Sequence, residues 1–167
     1  MPIQTASLFV TVGAVPDERY LLVRRAATKG DGGPQSYAFV LQPAVNGKIK
    51  HTDADPVACL LREAEHEGGK DFAMFLRRYM PFFPLQPIDG YEHVHCYHAV
   101  LQQHEADLFV AGPEFCETLW ATAVQVGLIE AIDLKAHKDD GVDPRSVMMF
   151  PDHRLVLRAL VTSMRGW

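Results

Sequence analysis

Three residues within one helical turn carry the first chemical signal in the chain: Glu63, His66 and Glu67. Positions i and i+4 lie one above the other on a helix, and i+3 shares their side, so two carboxylates and an imidazole meet at one face. Such a set can hold a divalent cation. Carboxylate oxygens suit magnesium or manganese, and the imidazole nitrogen suits manganese, iron or zinc better than magnesium. The same spacing also makes an ordinary solvated face, with Arg62 and Glu65 as neighbouring surface charges.

The local sequence demands a helix there. Asp55 caps the orphan N–H groups, and Pro56 suits the first helical position because it has no N–H to leave unpaired. Val57, Leu60, Leu61 and Ala64 fall at i, i+3, i+4 and i+7 as one buried stripe, and Gly68-Gly69 supplies a stop. The spacing predicts a helix over residues 55–69.

A second cluster, Tyr91-Glu92-His93-Val94-His95-Cys96-Tyr97-His98, alternates as a strand that puts His93 and His95 on one face. Metal-binding families that use His-x-His need a further ligand in register. Cupins place a glutamate about four residues on, whereas the next acid here is Glu105. Histidine-triad hydrolases need a third histidine where this chain has Tyr97. Both fail in register, so these histidines are read as lining a polar pocket or the solvent edge. Arg24 and Arg25 end an earlier strand and could meet a phosphate or a base. Tyr37 and Phe39 are candidates for stacking on a base or for core packing.

The elements that must position these residues alternate in type. Residues 8–15 and 20–25 read as two strands of a hairpin, separated by Pro16-Asp17-Glu18. Gly30-Asp31-Gly32-Gly33-Pro34 is a loop, residues 37–41 a short strand, and Asn46-Gly47 a turn. Residues 91–101 form a strand with 105–111 as its neighbour, 115–131 read as one helix or two short ones, and 152–164 as a closing helix. Strands on either side of a central helix predict a mixed α/β fold, with residues 1–167 as a single domain.

Composition narrows the function classes. The 167 residues are 48% hydrophobic and 22% charged, a globular balance. A net charge of -5, from 16 basic and 21 acidic residues, gives no electrostatic reason to expect a nucleic acid. Apolar runs are too short for a membrane span, and the N-terminus lacks a signal-peptide layout. Cys59, Cys96 and Cys116 are odd in number and widely spaced, as in a reducing compartment, so a cytoplasmic location is expected. No nucleophile elbow, P-loop or dinucleotide fingerprint occurs.

The segment Arg62-Glu63-Ala64-Glu65-His66-Glu67-Gly68-Gly69 resembles the end of the Nudix box, R-E-U-x-E-E-x-G, where U is aliphatic. Arg62, Glu63, Glu67 and Gly69 match, and Ala64 stands at the aliphatic position. Asp55-Pro56 is similar to the Thr/Ser-Pro that often opens this helix. The pattern departs at His66, which replaces the first of the paired glutamates, at Ala54 for the upstream glutamate, and at Lys48, beside Gly47, for the upstream glycine. The Pro-Gly-Gly that usually precedes the box is replaced by other residues. The resemblance implies a Nudix-like α/β/α sandwich around a mixed β-sheet. It further implies a divalent-cation-dependent hydrolase of a nucleoside diphosphate linked to another moiety. In that role Glu63 and Glu67 bind the metal, magnesium or manganese, with His66 as a third ligand, and Arg62 orients the carboxylates. Arg24, Arg25, Tyr37, His93 and His95 are the expected substrate contacts, and Glu114 and Glu117 fall where some relatives draw a base from a loop. The departures imply an alternative, a catalytically inactive Nudix-like domain that binds a nucleotide-type ligand or a protein partner. Nudix relatives are often dimers, so a homodimer is expected.

Overall fold

A computed structural model describes residues 1–166. Its strands are β1 (Thr5–Val12), β2 (Arg19–Arg25), β3 (Leu41–Pro43), β4 (Val45–Lys48), β5 (Phe82–Pro84), β6 (Val94–Leu101), β7 (Phe115–Thr122), β8 (Glu130–Ala131) and β9 (Met148–Met149). Its helices are α1 (Pro56–Gly68), α2 (Lys70–Tyr79), α3 (Gln103–Ala106), α4 (Ala123–Gly127) and α5 (Pro151–Arg165). All nine strands join one mixed sheet, in which β1 runs parallel to β6 along its whole length.

The sheet has a seam at its centre. β1 and β2 pair only where Val10–Val12 meets Arg19–Leu21, and beyond that point they splay. β4 takes the freed half of β1, and β3 takes the freed half of β2. The short segment from Leu41 to Lys48 therefore fills a wedge between two long strands. Along each strand the side chains alternate between faces. Leu8, Val10, Leu21 and Val23 pack with Cys59, Leu60, Phe72 and Leu76 of α1 and α2. Phe9, Tyr20 and Leu22 pack on the other face with Val126, Val156, Leu157 and Leu160 of α4 and α5. Helices cover both faces, which gives the α/β/α sandwich that the motif resemblance implied and the mixed α/β class that the element order predicted.

Several element boundaries differ from the sequence reading. The helix at 55–69 and the closing helix are as expected to within a residue or two, and the Asp55 side chain caps α1 through the Ala58 N–H at 2.7 Å. Gly69 does not end the helical layer. Its φ of 89° turns the chain, and α2 restarts at once with Phe72, Ala73 and Leu76 buried. The strand expected at 37–41 begins only at Leu41, because Tyr37 and Phe39 adopt left-handed backbone (φ 54° and 66°) in a turn. Asn46-Gly47 is not a turn but the middle of β4, opposite Ser7 and Ala6. The first strand runs from Thr5 and stops at Val12, where Gly13 turns at φ 84°. Residues 105–111 supply no strand. The Glu105 carboxylate accepts the Gln102 N–H and opens the single turn α3. The helix expected over 115–131 is mostly β7, which pairs along the whole of β2. That pairing overrides local propensity, and helix begins only after Thr122 caps α4.

Leu60 is fully buried beneath α1. Leu60→Ala is expected to cost about 2–5 kcal/mol, read as a lower urea midpoint with unchanged slope.

Candidate functional site

The seam brings the helix residues of the sequence signal against the wedge strands. Glu67 lies on the buried side of α1, in line with Leu60 and Ala64, and is only 6% exposed. Its carboxylate accepts the Asn46 N–H at 2.7 Å. A β4 residue therefore greets the carboxylate with its backbone, and a single N–H offsets little of the cost of burying a charge. Burial raises the Glu67 pKa well above its ordinary value, and the charges of Glu63 and Glu114 add to the rise while Arg25 opposes it.

Glu63 is held one turn earlier. Arg62 donates to Glu63 Oε1 and also grips Asp53, with Nε 3.0 Å from Oδ1 and one terminal nitrogen 2.8 Å from Oδ2. The same guanidinium reaches the Lys48 carbonyl at 3.1 Å. This fork keeps the Asp53 carboxyl far below its usual range and Arg62 firmly charged. The Glu63 stem lies against Gly47, where a Cβ would overlap it. Glycine inside β4 thus marks a close approach rather than a turn.

A second glycine brings in the loop before β7. The Gly112 N–H donates to the Glu67 carbonyl at 2.9 Å, and a Cβ at Gly112 would fall 2.9 Å from the His66 carbonyl. The loop is thereby pinned to the end of α1, and Glu114 follows it into electrostatic range of Glu67. Arg25 approaches from β2. It donates to Gln42 Oε1 at 3.1 Å and to the Ser36 carbonyl, and its guanidinium sits 6.0 Å from the centre of the Phe150 ring.

The other predicted residues divide. His66 stands beside Glu63, its Nδ1 3.8 Å from Oε2, but its side chain is 62% exposed. His95 lies on the α1 face in one row with Ala6 and Gly47 across three strands, and its Nε2 is buried without a hydrogen-bond partner. His93 precedes β6 and escapes its alternation. It lines a cavity of about 260 Å³ on the opposite face, with Asn46, Tyr91, Phe150, Asp152 and His153. Tyr37 packs edge-on against Phe150 at 5.2 Å. Arg24 is spent elsewhere, on Glu117 at 2.6 Å and on the Phe39 and Ser146 carbonyls. Glu117 is therefore an ion-pair partner on the far face of β2, while Glu114 joins the carboxylates.

Asp53, Asn46 and Gly47 escaped the sequence reading. Asp53 sits one residue before the expected acid position at Ala54, and a one-residue shift in the motif would have found it. Asn46-Gly47 carried a turn signature that the sheet overrides.

For a divalent cation the donor chemistry fits: Glu63, Glu67 and Glu114 are hard oxygen donors that crowd negative charge around a buried carboxylate. Among the described residues, no three His, Cys, Asp or Glu side chains already converge as a coordination shell. Among them, too, no helix is long and apolar enough to cross a membrane.

No protein-family model matches the sequence, and no curated protein does. Solved structures do. A mutT/nudix family protein from Listeria innocua superposes with a TM-score of 0.62 at 13% identity, over 98% of this chain and 95% of that one. An Ap4A hydrolase binary complex from C. elegans gives 0.56 at 12% identity, over 99% and 100%. A bifunctional NMN adenylyltransferase/ADP-ribose pyrophosphatase from Francisella tularensis, complexed with AMP and manganese, gives 0.55 at 15% identity, over 98% of this chain and 42% of that one. The chain has the Nudix fold.

Gly47→Ala is expected to lower stability by about 1–3 kcal/mol through overlap with Glu63. In the double variant Gly47→Ala/Glu63→Ala the substitution at 47 should cost far less. A thermodynamic cycle from chemical denaturation checks this, and additive effects would separate the two residues.

Proposed function

We propose that this chain hydrolyses a phosphoanhydride bond in a nucleoside diphosphate linked to another moiety, assisted by a divalent cation of the magnesium or manganese type held by Glu63 and Glu67. The carrying observation is the burial of Glu67 among like charges from Glu63 and Glu114. A fold retains so unfavourable a group where a ligand compensates it, and a hard cation does so. The similar folds named for Ap4A hydrolysis and for binding AMP with manganese support the substrate class and the metal.

When bound, the cation would offset phosphate charge and acidify an attacking water. The protein's own groups supply the rest. The Asn46 N–H fixes the direction of the Glu67 carboxylate. Arg62, locked by Asp53, occupies Glu63 Oε1 and leaves Oε2 for the cation, while the loop carboxylate of Glu114 accepts the proton from water. As the water oxygen bonds to phosphorus, the bridging P–O bond breaks, giving a nucleoside monophosphate and the phosphorylated second moiety. Arg25 contributes positive charge beside the carboxylates for the substrate's phosphates.

A second reading, a domain that binds a nucleotide-type ligand without turning it over, is favoured by the outward set of His66 and by the lack of a preformed three-ligand shell among the described residues. Phosphate release from nucleoside triphosphates, dinucleotides and ADP-ribose, with magnesium and manganese in parallel, separates the two. Turnover that falls about a hundredfold or more in Glu67→Gln establishes the hydrolase. Absence of turnover with every substrate and both metals gives the binding domain.

Glu67 also makes a prediction that needs no substrate. Its folded pKa lies above 4.5, the ordinary value. The unfolded chain therefore releases this proton at lower pH than the folded one does. The stability tied to the protonated form is complete below the unfolded pKa and is lost as pH rises through the folded pKa. Without cation, Glu67→Gln should thus gain stability relative to the parent as pH rises above about 4.5. Thermal melts across pH check this, and a constant gap would contradict it. Added manganese should stabilise the parent more than the variant.

A further inference from the structure

The cavity that His93 lines is built independently of the carboxylate cluster, on the other face of the sheet, yet the two share Asn46. The Asn46 N–H holds Glu67, and the Asn46 side chain accepts from Ser7 Oγ at 2.8 Å on the cavity side. A ligand in the cavity therefore lies one residue from the site of the chemistry.

The walls are aromatic. Tyr91 and His93 lie with ring centres 6.2 Å apart, and Phe150 meets His153 edge-on at 5.7 Å. At about 260 Å³ the space falls below the roughly 300–1,000 Å³ of sites that take whole drug-sized ligands, so it suits one planar ring system.

The two polar groups that the start of α5 gives this cavity, Asp152 and the His153 ring, offer acceptors. Ser7 has one hydroxyl proton and gives it to Asn46, so at 3.3 Å it accepts from His153 Nε2–H. That fixes the tautomer and leaves His153 Nδ1 a bare acceptor. His153 is 3% exposed and Nδ1 has no hydrogen-bond partner, a costly state that a ligand donor relieves. Asp152 Oδ1 accepts the His153 N–H at 2.8 Å, and Oδ2 is left for a donor from the cavity.

We infer that this cavity is a base-recognition subsite that selects nucleobases bearing an exocyclic amino group, with Asp152 and His153 Nδ1 accepting from it and Phe150, Tyr91 and His93 packing on the ring. The inference deepens the proposed function and rests on it for the nucleotide class. Bases that present a carbonyl at that edge would set oxygen against two acceptors, which rejects them.

The test is equilibrium binding, measured calorimetrically with the full chain and a chelator present, so that no turnover occurs. The probes are AMP and CMP against IMP and UMP. AMP and CMP should bind at least about tenfold more tightly than their carbonyl counterparts. Asp152→Asn, whose amide can donate, should shrink that gap to about threefold or less while its melting curve shows a folded protein. Equal affinities for the four probes, no binding of any, or a gap indifferent to Asp152→Asn would each overturn the inference. A gap in binding without hydrolysis of any diphosphate derivative keeps the subsite and removes the reaction. Hydrolysis without a gap does the reverse.

Discussion

The position of one carboxylate organises this molecule. Glu67 sits on the apolar side of α1, where an aliphatic residue would pack at no electrostatic cost, and three features nearby exist in relation to it. The chain of β4 presents the Asn46 N–H to it. The loop carrying Glu114 is tied by Gly112 to the Glu67 carbonyl. Arg25 reaches across from the end of β2. The Asn46 contact could not form if β1 and β2 stayed paired to their ends. The splay admits β3 and β4, and the wedge carries the backbone up to the helix. A buried charge is expensive unless partnered, and two of these three stretches of chain supply partners, the Asn46 N–H and the Arg25 guanidinium.

The two faces divide the labour. On the α1 face, apolar packing holds the helix so that Glu63 and Glu67 stay in register with Gly47 and Asn46. On the other face, α5 is anchored at both ends. His153 reaches Ser7 near its start, and Arg165 pairs with the fully buried Glu18 at 2.6 Å near its end. A helix fixed at both ends keeps Asp152 and His153 in place against the sheet.

Much of the architecture was legible because it rests on local signals. Asp55, Pro56 and the apolar spacing of Leu60 and Ala64 define α1, and the alternation around Leu21 defines β2. What escaped depends on partners distant in sequence. β7 has no strong strand pattern of its own and becomes a strand by lying along β2. Asn46-Gly47 carries a turn signature, but Ser7 and Ala6 claim it for the sheet. In the candidate site, Glu63 and Glu67 could be read from spacing, because helix geometry alone makes them neighbours. Asp53, Gly112 and Asp152 could not, because their relevance arises only when a loop or a second helix folds back. His93 and His95 show the same limit: strict alternation joins them, whereas β6 begins between them and sends them to opposite faces.

The parallel pairing of β1 with β6 bears on how the chain is made. β1 emerges well before its partner β6 during synthesis and is buried along almost its whole length in the finished protein. The strand that covers one of its edges, Val94–Leu101, comes some ninety residues later. Until then that edge of Thr5–Val12 has no native partner, while β2 and β4 can already occupy the other. A nascent chain therefore carries an apolar strand with one open edge until that later strand is made, the kind of surface that chaperones engage and that pairs wrongly with a neighbouring copy.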